Sequence, residues 1–133
     1  MKKVLILCTG NSCRSIMAEA LINAKLGECV EAQSSGVKAS GAVNPNAQTL
    51  LESKGYWRDD YHSKVIESVL DNEFDLVVTV CDHAKETCPM FAKAVKTIHV
   101  GFDDPSGKAV EEYTKTLELI EKELLPVVKK ELC

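Results

Sequence analysis

Lys3-Val4-Leu5-Ile6-Leu7-Cys8-Thr9-Gly10-Asn11-Ser12-Cys13-Arg14-Ser15 is the stretch whose reading decides the fold. It opens as an apolar run, ends that run at Cys8, and passes through a small polar turn. From residue 16 apolar side chains recur at helical spacing (Met17, Leu21, Ala24) until Gly27. A buried strand therefore feeds straight into a helix over residues 16–26. Further outward, β-branched apolar runs at residues 30–34, 74–80 and 95–100 read as strands. Helical patterns fill the gaps at residues 47–54, 63–70 and 109–132. Asn44-Pro45 signals the start of the second helix, Gly55 its end, and Pro126 a kink or split in the last. Apolar strands alternating with helices imply a parallel sheet covered on both faces. The predicted fold class is α/β: a single-domain three-layer sandwich over residues 1–133, with a four-stranded parallel sheet and helices on both faces. Ligands in such sheets bind beyond the carboxyl ends of the strands, which directs attention to the turn after Cys8.

Composition narrows the function classes. The 133 residues make one domain at ~150 residues per domain. Lys+Arg 16 against Asp+Glu 20 leaves a net charge of -4, and 45% of residues are apolar. The apolar share excludes a disordered chain, and the acidic balance argues against a nucleic-acid partner. Lys2 and Lys3 hint at a signal peptide, but the apolar run at residues 4–8 falls short of the ~7–15 residues an h-region needs. No stretch nears the ~18 apolar residues of a membrane span. A cytoplasmic monomer with reduced thiols is expected. Six cysteines among 133 residues lie below the ~8–10% of a disulfide scaffold. In a reducing compartment they point to chemistry or metal rather than structure.

Cys8 and Arg14 form a Cys-x5-Arg spacing at the strand-to-helix junction. Gly10, Asn11 and Ser12 let consecutive backbone N–H groups turn inward as an anion nest. The following helix adds its positive end, and Arg14 closes the cradle with a fork suited to a tetrahedral oxyanion. The same field is expected to make Cys8 a thiolate. A nucleophile in an oxyanion cradle suggests covalent attack on phosphorus or arsenic. No Gly-Lys-Ser/Thr follows, so this is not a nucleotide-binding loop.

Cys81 ends the third predicted strand, on the same sheet edge as Cys8, and Cys88-Pro89 follows seven residues later. Three readings stay open from spacing: a disulfide relay with Cys8, a buried core thiol, or zinc held by Cys81, His83 and Cys88. In a helix, residues seven apart lie ~10 Å apart, beyond the ~7 Å limit of a disulfide. A Cys81–Cys88 bond would thus require residues 82–87 to unwind, and a redox-dependent segment is expected there.

Cys8-Thr9-Gly10-Asn11-Ser12-Cys13-Arg14-Ser15 resembles the low-molecular-weight protein tyrosine phosphatase superfamily, including its arsenate reductase branch. Met17-Ala18-Glu19, Ser34-Ser35-Gly36, Asn44-Pro45 and Asp103-Asp104-Pro105 extend the likeness over nearly the whole chain. Thioredoxin-coupled arsenate reductases of this superfamily carry a cysteine pair seven apart after a Val-Val-Thr strand, as Val77-Val78-Thr79 and Cys81/Cys88 do here.

The resemblance implies a low-molecular-weight phosphatase-like fold and reduction of arsenate to arsenite. Residues 8–15 (Cys8, Thr9, Gly10, Asn11, Ser12, Cys13, Arg14, Ser15) would bind the oxyanion. Cys8 would be the nucleophile, Cys81 and then Cys88 the resolving thiols, Arg14 the clamp and Asp104 the general acid. Thioredoxin (alternatively glutaredoxin) would donate electrons, with weak side phosphatase activity and no metal or organic cofactor. Asn11, Glu19 and Ser34 match residues around a potassium ion in some such reductases, but Lys64 stands where a further Asp is expected, so an ammonium would replace the cation. The alternative is a low-molecular-weight protein tyrosine phosphatase. Ser106-Gly107 follow Asp104-Pro105 where phosphatases place a stacking aromatic residue, which favours a small inorganic oxyanion. Cys13 is expected to pack or to form a protective disulfide with Cys8. Cys29 reads as a core residue and Cys133 as a frayed end. His62, His83 and His99 show no ligand pattern, and Trp57 with Tyr56 and Tyr61 reads as a packing cluster.

Overall fold

A computed structural model describes residues 1–69, 71–81 and 96–133. Its elements run β1 (Lys2–Cys8), α1 (Arg14–Leu26), β2 (Val30–Gly36), α2 (Pro45–Ser53), a 3-10 turn (Ile66–Ser68), β3 (Leu76–Thr79), β4 (Thr97–His99), α3 (Val110–Glu123) and α4 (Leu125–Leu132). The four strands form one parallel sheet in the order β2-β1-β3-β4, as the alternating pattern predicts. Val4, Leu5, Ile6 and Leu7 are fully buried, so consecutive residues of β1 are covered on both faces of the sheet. Register sets the functional edge. Cys8 pairs with Gly36 at the carboxyl end of β2, and Leu7 pairs with Thr79, two residues before Cys81. The ladder runs past the named strands through Val80 N–H to the Leu7 carbonyl and Phe102 N–H to the Val80 carbonyl. The segment leading to Asp104 therefore arrives at the same edge.

Helix boundaries follow local chemistry. Asn44 caps α2, its Oδ1 accepting N–H groups of Asn46 and Ala47, and Gly55 leaves the helix at φ 76, a conformation glycine takes without cost. α1 stops at Leu26, but Gly27 stays right-handed at φ -62, so the stop is not a left-handed cap. Pro126 lies in the first turn of α4 and the last helical stretch divides at Leu124, as its missing N–H requires. Tyr113, Leu117, Ile120, Leu124 and Val128 form the buried stripe of this pair.

Two expectations are corrected. Residues 63–70 were expected to be helical, yet among the described ones only Ile66–Ser68 form a 3-10 turn. Val65 bridges Gly36 as a parallel partner, Gly36 N–H donates to the Lys64 carbonyl, and Lys64 N–H donates to Asn11 Oδ1. This backbone braces the Cys8 loop instead of closing its own helical ladder. Secondly, Cys29 and Cys133 are joined by a disulfide, and Cys133 N–H completes a helical bond to the Lys129 carbonyl, so that end is not frayed. Trp57 and Tyr61 pack edge to face, 5.7 Å apart. No helix among the described residues is long and apolar enough to cross a membrane.

Candidate active site

The loop after β1 is held by its carbonyls. Those of Cys8, Thr9, Gly10 and Ser12 accept N–H groups from Val37, Lys38, Ser40 and Asn44 on the β2–α2 connection, at 2.8 to 3.1 Å. In a trans peptide the next N–H points opposite its C=O. Outward carbonyls at 8, 9, 10 and 12 therefore aim the amides of Thr9, Gly10, Asn11 and Cys13 inward, which is the nest the sequence implies. Cys13 is the cap residue of α1 but makes no side-chain hydrogen bond to its first amides. Gly36 is required by close approach: a Cβ there would lie 2.5 Å from the Thr9 carbonyl.

Asn11 is the strained position, at φ 48 and 1% exposed. Its amide donates to Ser15 Oγ and Ser34 Oγ at 2.9 Å each, and its Oδ1 accepts from Lys64. Asparagine tolerates this left-handed conformation better than other side chains. Asn11→Ala removes two buried hydrogen bonds and a half-buried one, and keeps the strain. It should lower the urea-unfolding free energy by about 3 kcal/mol or more, with Asn11→Gly less damaging by about 1 kcal/mol. Equal stabilities for the two variants would contradict the strain argument.

Ser34 passes this network on, donating to Glu19 at 2.7 Å, and Lys64 Nζ lies 4.0 Å from the other Glu19 oxygen. Burial pushes the Glu19 carboxyl above its usual range, opposed by Lys64 and then by the Ser34 hydroxyl. The side chain of Lys64 is 17% exposed, so its ammonium supplies the positive charge beside these oxygens. We therefore expect potassium chloride to change turnover less than twofold against sodium chloride at equal ionic strength. A several-fold gain would show that the ammonium does not replace a cation.

Arg14 joins the loop to the segment after β4. Its Nη1 donates to the Phe102 carbonyl at 3.0 Å, and its Nη2 lies 3.7 Å from Asp104 Oδ2. Burial pushes the Asp104 carboxyl up, but the Ser106 amide and hydroxyl, with Arg14 and Lys108, hold it net below its usual range. The Ser106 amide bond to Asp104 Oδ1 measures 3.0 Å. Arg14, Cys81, Gly101, Phe102, Asp103 and Asp104 line a cleft of ≈ 390 Å³.

Cys8, Cys13 and Cys81 are all buried. Cys81 stands next to the Cys8 loop, with the Thr9 hydroxyl 3.1 Å from Cys81 Sγ. The surroundings of Cys8 work against the expected thiolate. The neighbouring Cys81 thiol and burial push Cys8 above the ordinary thiol range, against Arg14 and the Thr9 amide. The cradle's field favours the thiolate, whereas the neighbouring thiol opposes it. Cys13 is pushed up to about 12 by burial and Asp104, against Arg14 and the Ser106 hydroxyl, which suits packing.

The structure thus brings residues 8–15, Cys81 and Asp104 to one edge. Cys88 and His83, and with them the segment expected to unwind, lie outside the described residues. The bracing groups Val37, Lys38, Ser40, Ser63 and the Phe102 carbonyl carry no sign in the sequence, since most act through backbone atoms; Asn44 was marked there, as a helix start and as part of the family likeness.

The chain matches the model of the low molecular weight phosphotyrosine protein phosphatases over residues 3–132. An arsenate reductase of Brevibacillus brevis is 44% identical over 119 residues, covering 90% of this chain and 88% of that protein. A crystal structure of arsenate reductase from Archaeoglobus fulgidus superposes with TM-score 0.80 at 30% identity, covering 95% of this chain and 98% of that one. The low molecular weight protein tyrosine phosphatase of T. tengcongensis superposes with TM-score 0.83 at 30% identity, covering 98% and 99%.

Proposed function

The chain belongs to the low molecular weight phosphotyrosine protein phosphatase family and, within it, to the arsenate reductase branch, and we propose that it reduces arsenate through a three-cysteine relay recharged by thioredoxin. The observation that carries this reading is the second thiol, Cys81, buried against the nucleophile's loop with its sulfur 3.1 Å from the Thr9 hydroxyl. A phosphatase needs one thiol. A reductase needs a second within reach of the first.

Arsenate enters the nest with its oxygens on the inward amides and Arg14. Cys8 sulfur bonds to arsenic, and the arsenate hydroxyl leaves as water with the proton given up by the thiol pair. Asp104, a carboxylate at rest, takes up and delivers that proton at the mouth of the loop. Cys81 then attacks Cys8 sulfur. The sulfur–arsenic bond breaks, its electron pair stays on arsenic, and arsenite departs with the Cys81 proton as Cys8–Cys81 becomes a disulfide. Cys88 attacks Cys81 and frees Cys8 as a thiol. A dithiol protein of the thioredoxin class reduces Cys81–Cys88, so two electrons enter per arsenite released.

The same cradle accepts a phosphate ester, and weak phosphatase activity is expected. The family's phosphatase reading, favoured by the T. tengcongensis structure, is separated by Cys88→Ser. Under the relay that variant releases at most one arsenite per enzyme with thioredoxin, while aryl phosphate hydrolysis continues at the wild-type rate. Multiple turnovers with arsenate by Cys88→Ser would overturn the relay.

A further inference from the structure

Cys29 and Cys133 lie at the opposite end of the sheet from Cys8. Cys29 immediately precedes β2, and its carbonyl accepts the N–H of Lys2 at the start of β1. α4 reaches this edge from the far side of the chain, 104 positions later, with Cα atoms of the two cysteines 6.0 Å apart. The meeting does not depend on the bond alone. Val128 of α4 is fully buried, Leu132 packs on the core, and Glu131 takes the Lys96 ammonium on both carboxylate oxygens at 2.8 and 2.9 Å. Lys96 precedes β4 and Cys29 precedes β2, so the last turn of α4 is held from the starts of both outer strands.

Accessibility separates this pair from the reactive edge. Cys133 is exposed and Cys29 half-buried, whereas Cys8, Cys13 and Cys81 are all buried. Thiol–disulfide exchange requires access to sulfur, so a small disulfide in solution reaches Cys133 first. The Cys29 thiol, already alongside, then displaces the small thiol and closes the protein disulfide. One small disulfide is consumed, two small thiols are released, and both protein protons leave with them.

We propose that Cys29–Cys133 is a second redox site of this protein, a surface clasp that fastens α4 across the amino-terminal edge of the sheet and opens and closes with the ambient thiol–disulfide balance, independently of the cysteines at the reactive loop. Closing it ties a loop of over a hundred residues, which restricts the unfolded chain more than the folded one. The clasp therefore acts on stability, with the catalytic edge left as it is.

The test uses the full-length protein, wild type and Cys133→Ser, incubated with glutathione disulfide, blocked with a maleimide and digested. A cross-linked Cys29–Cys133 peptide is expected from the wild type. Reduction with a phosphine should lower its Tm by about 10 °C more than that of Cys133→Ser. Cys29→Ser should behave as Cys133→Ser, and both should keep wild-type arsenate turnover within twofold. Separate glutathione adducts at Cys29 and Cys133 without a cross-link would overturn the proposal. So would equal Tm changes in wild type and variants, or a loss of turnover confined to the clasp variants. Because every readout but turnover is independent of arsenate chemistry, failure of the relay leaves this test intact.

Discussion

Cys8→Ser is expected to abolish arsenate reduction and aryl phosphate hydrolysis together, each by about 10⁴-fold or more in kcat, because both begin with this sulfur. Cys81→Ala should split the two. It removes the thiol that attacks the arsenic adduct, so arsenate turnover stops after one adduct. It also removes the neighbour that most strongly raises the Cys8 pKa. Burial still pushes Cys8 up, but Arg14 and the Thr9 amide then oppose a smaller effect. The sign is fixed: a lower pKa means more thiolate at neutral pH. Phosphatase activity and alkylation of Cys8 by iodoacetamide should therefore rise, tenfold for about each unit the pKa falls. Alkylation across pH 6 to 10 checks this directly. Unchanged alkylation in Cys81→Ala would mean that Cys81 does not govern the Cys8 proton. Full loss of phosphatase activity would mean that Cys81 supports the loop itself.

The relation between these two sulfurs also shows where sequence reasoning reaches and where it stops. The loop from Cys8 to Ser15 was legible because one contiguous segment carries the nucleophile, the turn and the clamp. The position of Cys81 was legible because a parallel strand delivers its next residues to a known edge. The protonation of Cys8 was not, since it depends on a contact between residues 8 and 81 that no local pattern encodes. Residues 63–70 failed for a related reason. Their apolar spacing fits a helix, but Gly36 and Asn11 claim the backbone of Lys64 and Val65, and tertiary bonds outweigh weak propensity. Cys29 and Cys133 looked incidental because each is unremarkable alone. Only the path of α4 brings them together.

Arg14→Lys should lower kcat/KM for arsenate and for phosphate esters by about 10² to 10³-fold. Charge is conserved in this change, so the loss measures geometry. The guanidinium here already uses one amino group on the Phe102 carbonyl and turns another toward Asp104, and its five N–H donors are enough to serve these and an oxyanion together. An ammonium on a lysine stem cannot hold Phe102 and present two parallel N–H groups at once. Two further readouts separate this from a general loss of structure. The Arg14 charge lowers the Cys8 pKa, so a displaced ammonium should slow alkylation of Cys8 at neutral pH. Asp104 loses one of the partners holding its carboxyl down, so its titration should move up toward the ordinary range. Burial and the Ser106 bonds remain, which limits that rise. The fold itself should change little, because Arg14 contributes to the edge and not to the apolar core. A lysine variant with kcat/KM within fivefold of wild type would show that a positive charge alone suffices, and that the fork plays no part in holding the oxyanion.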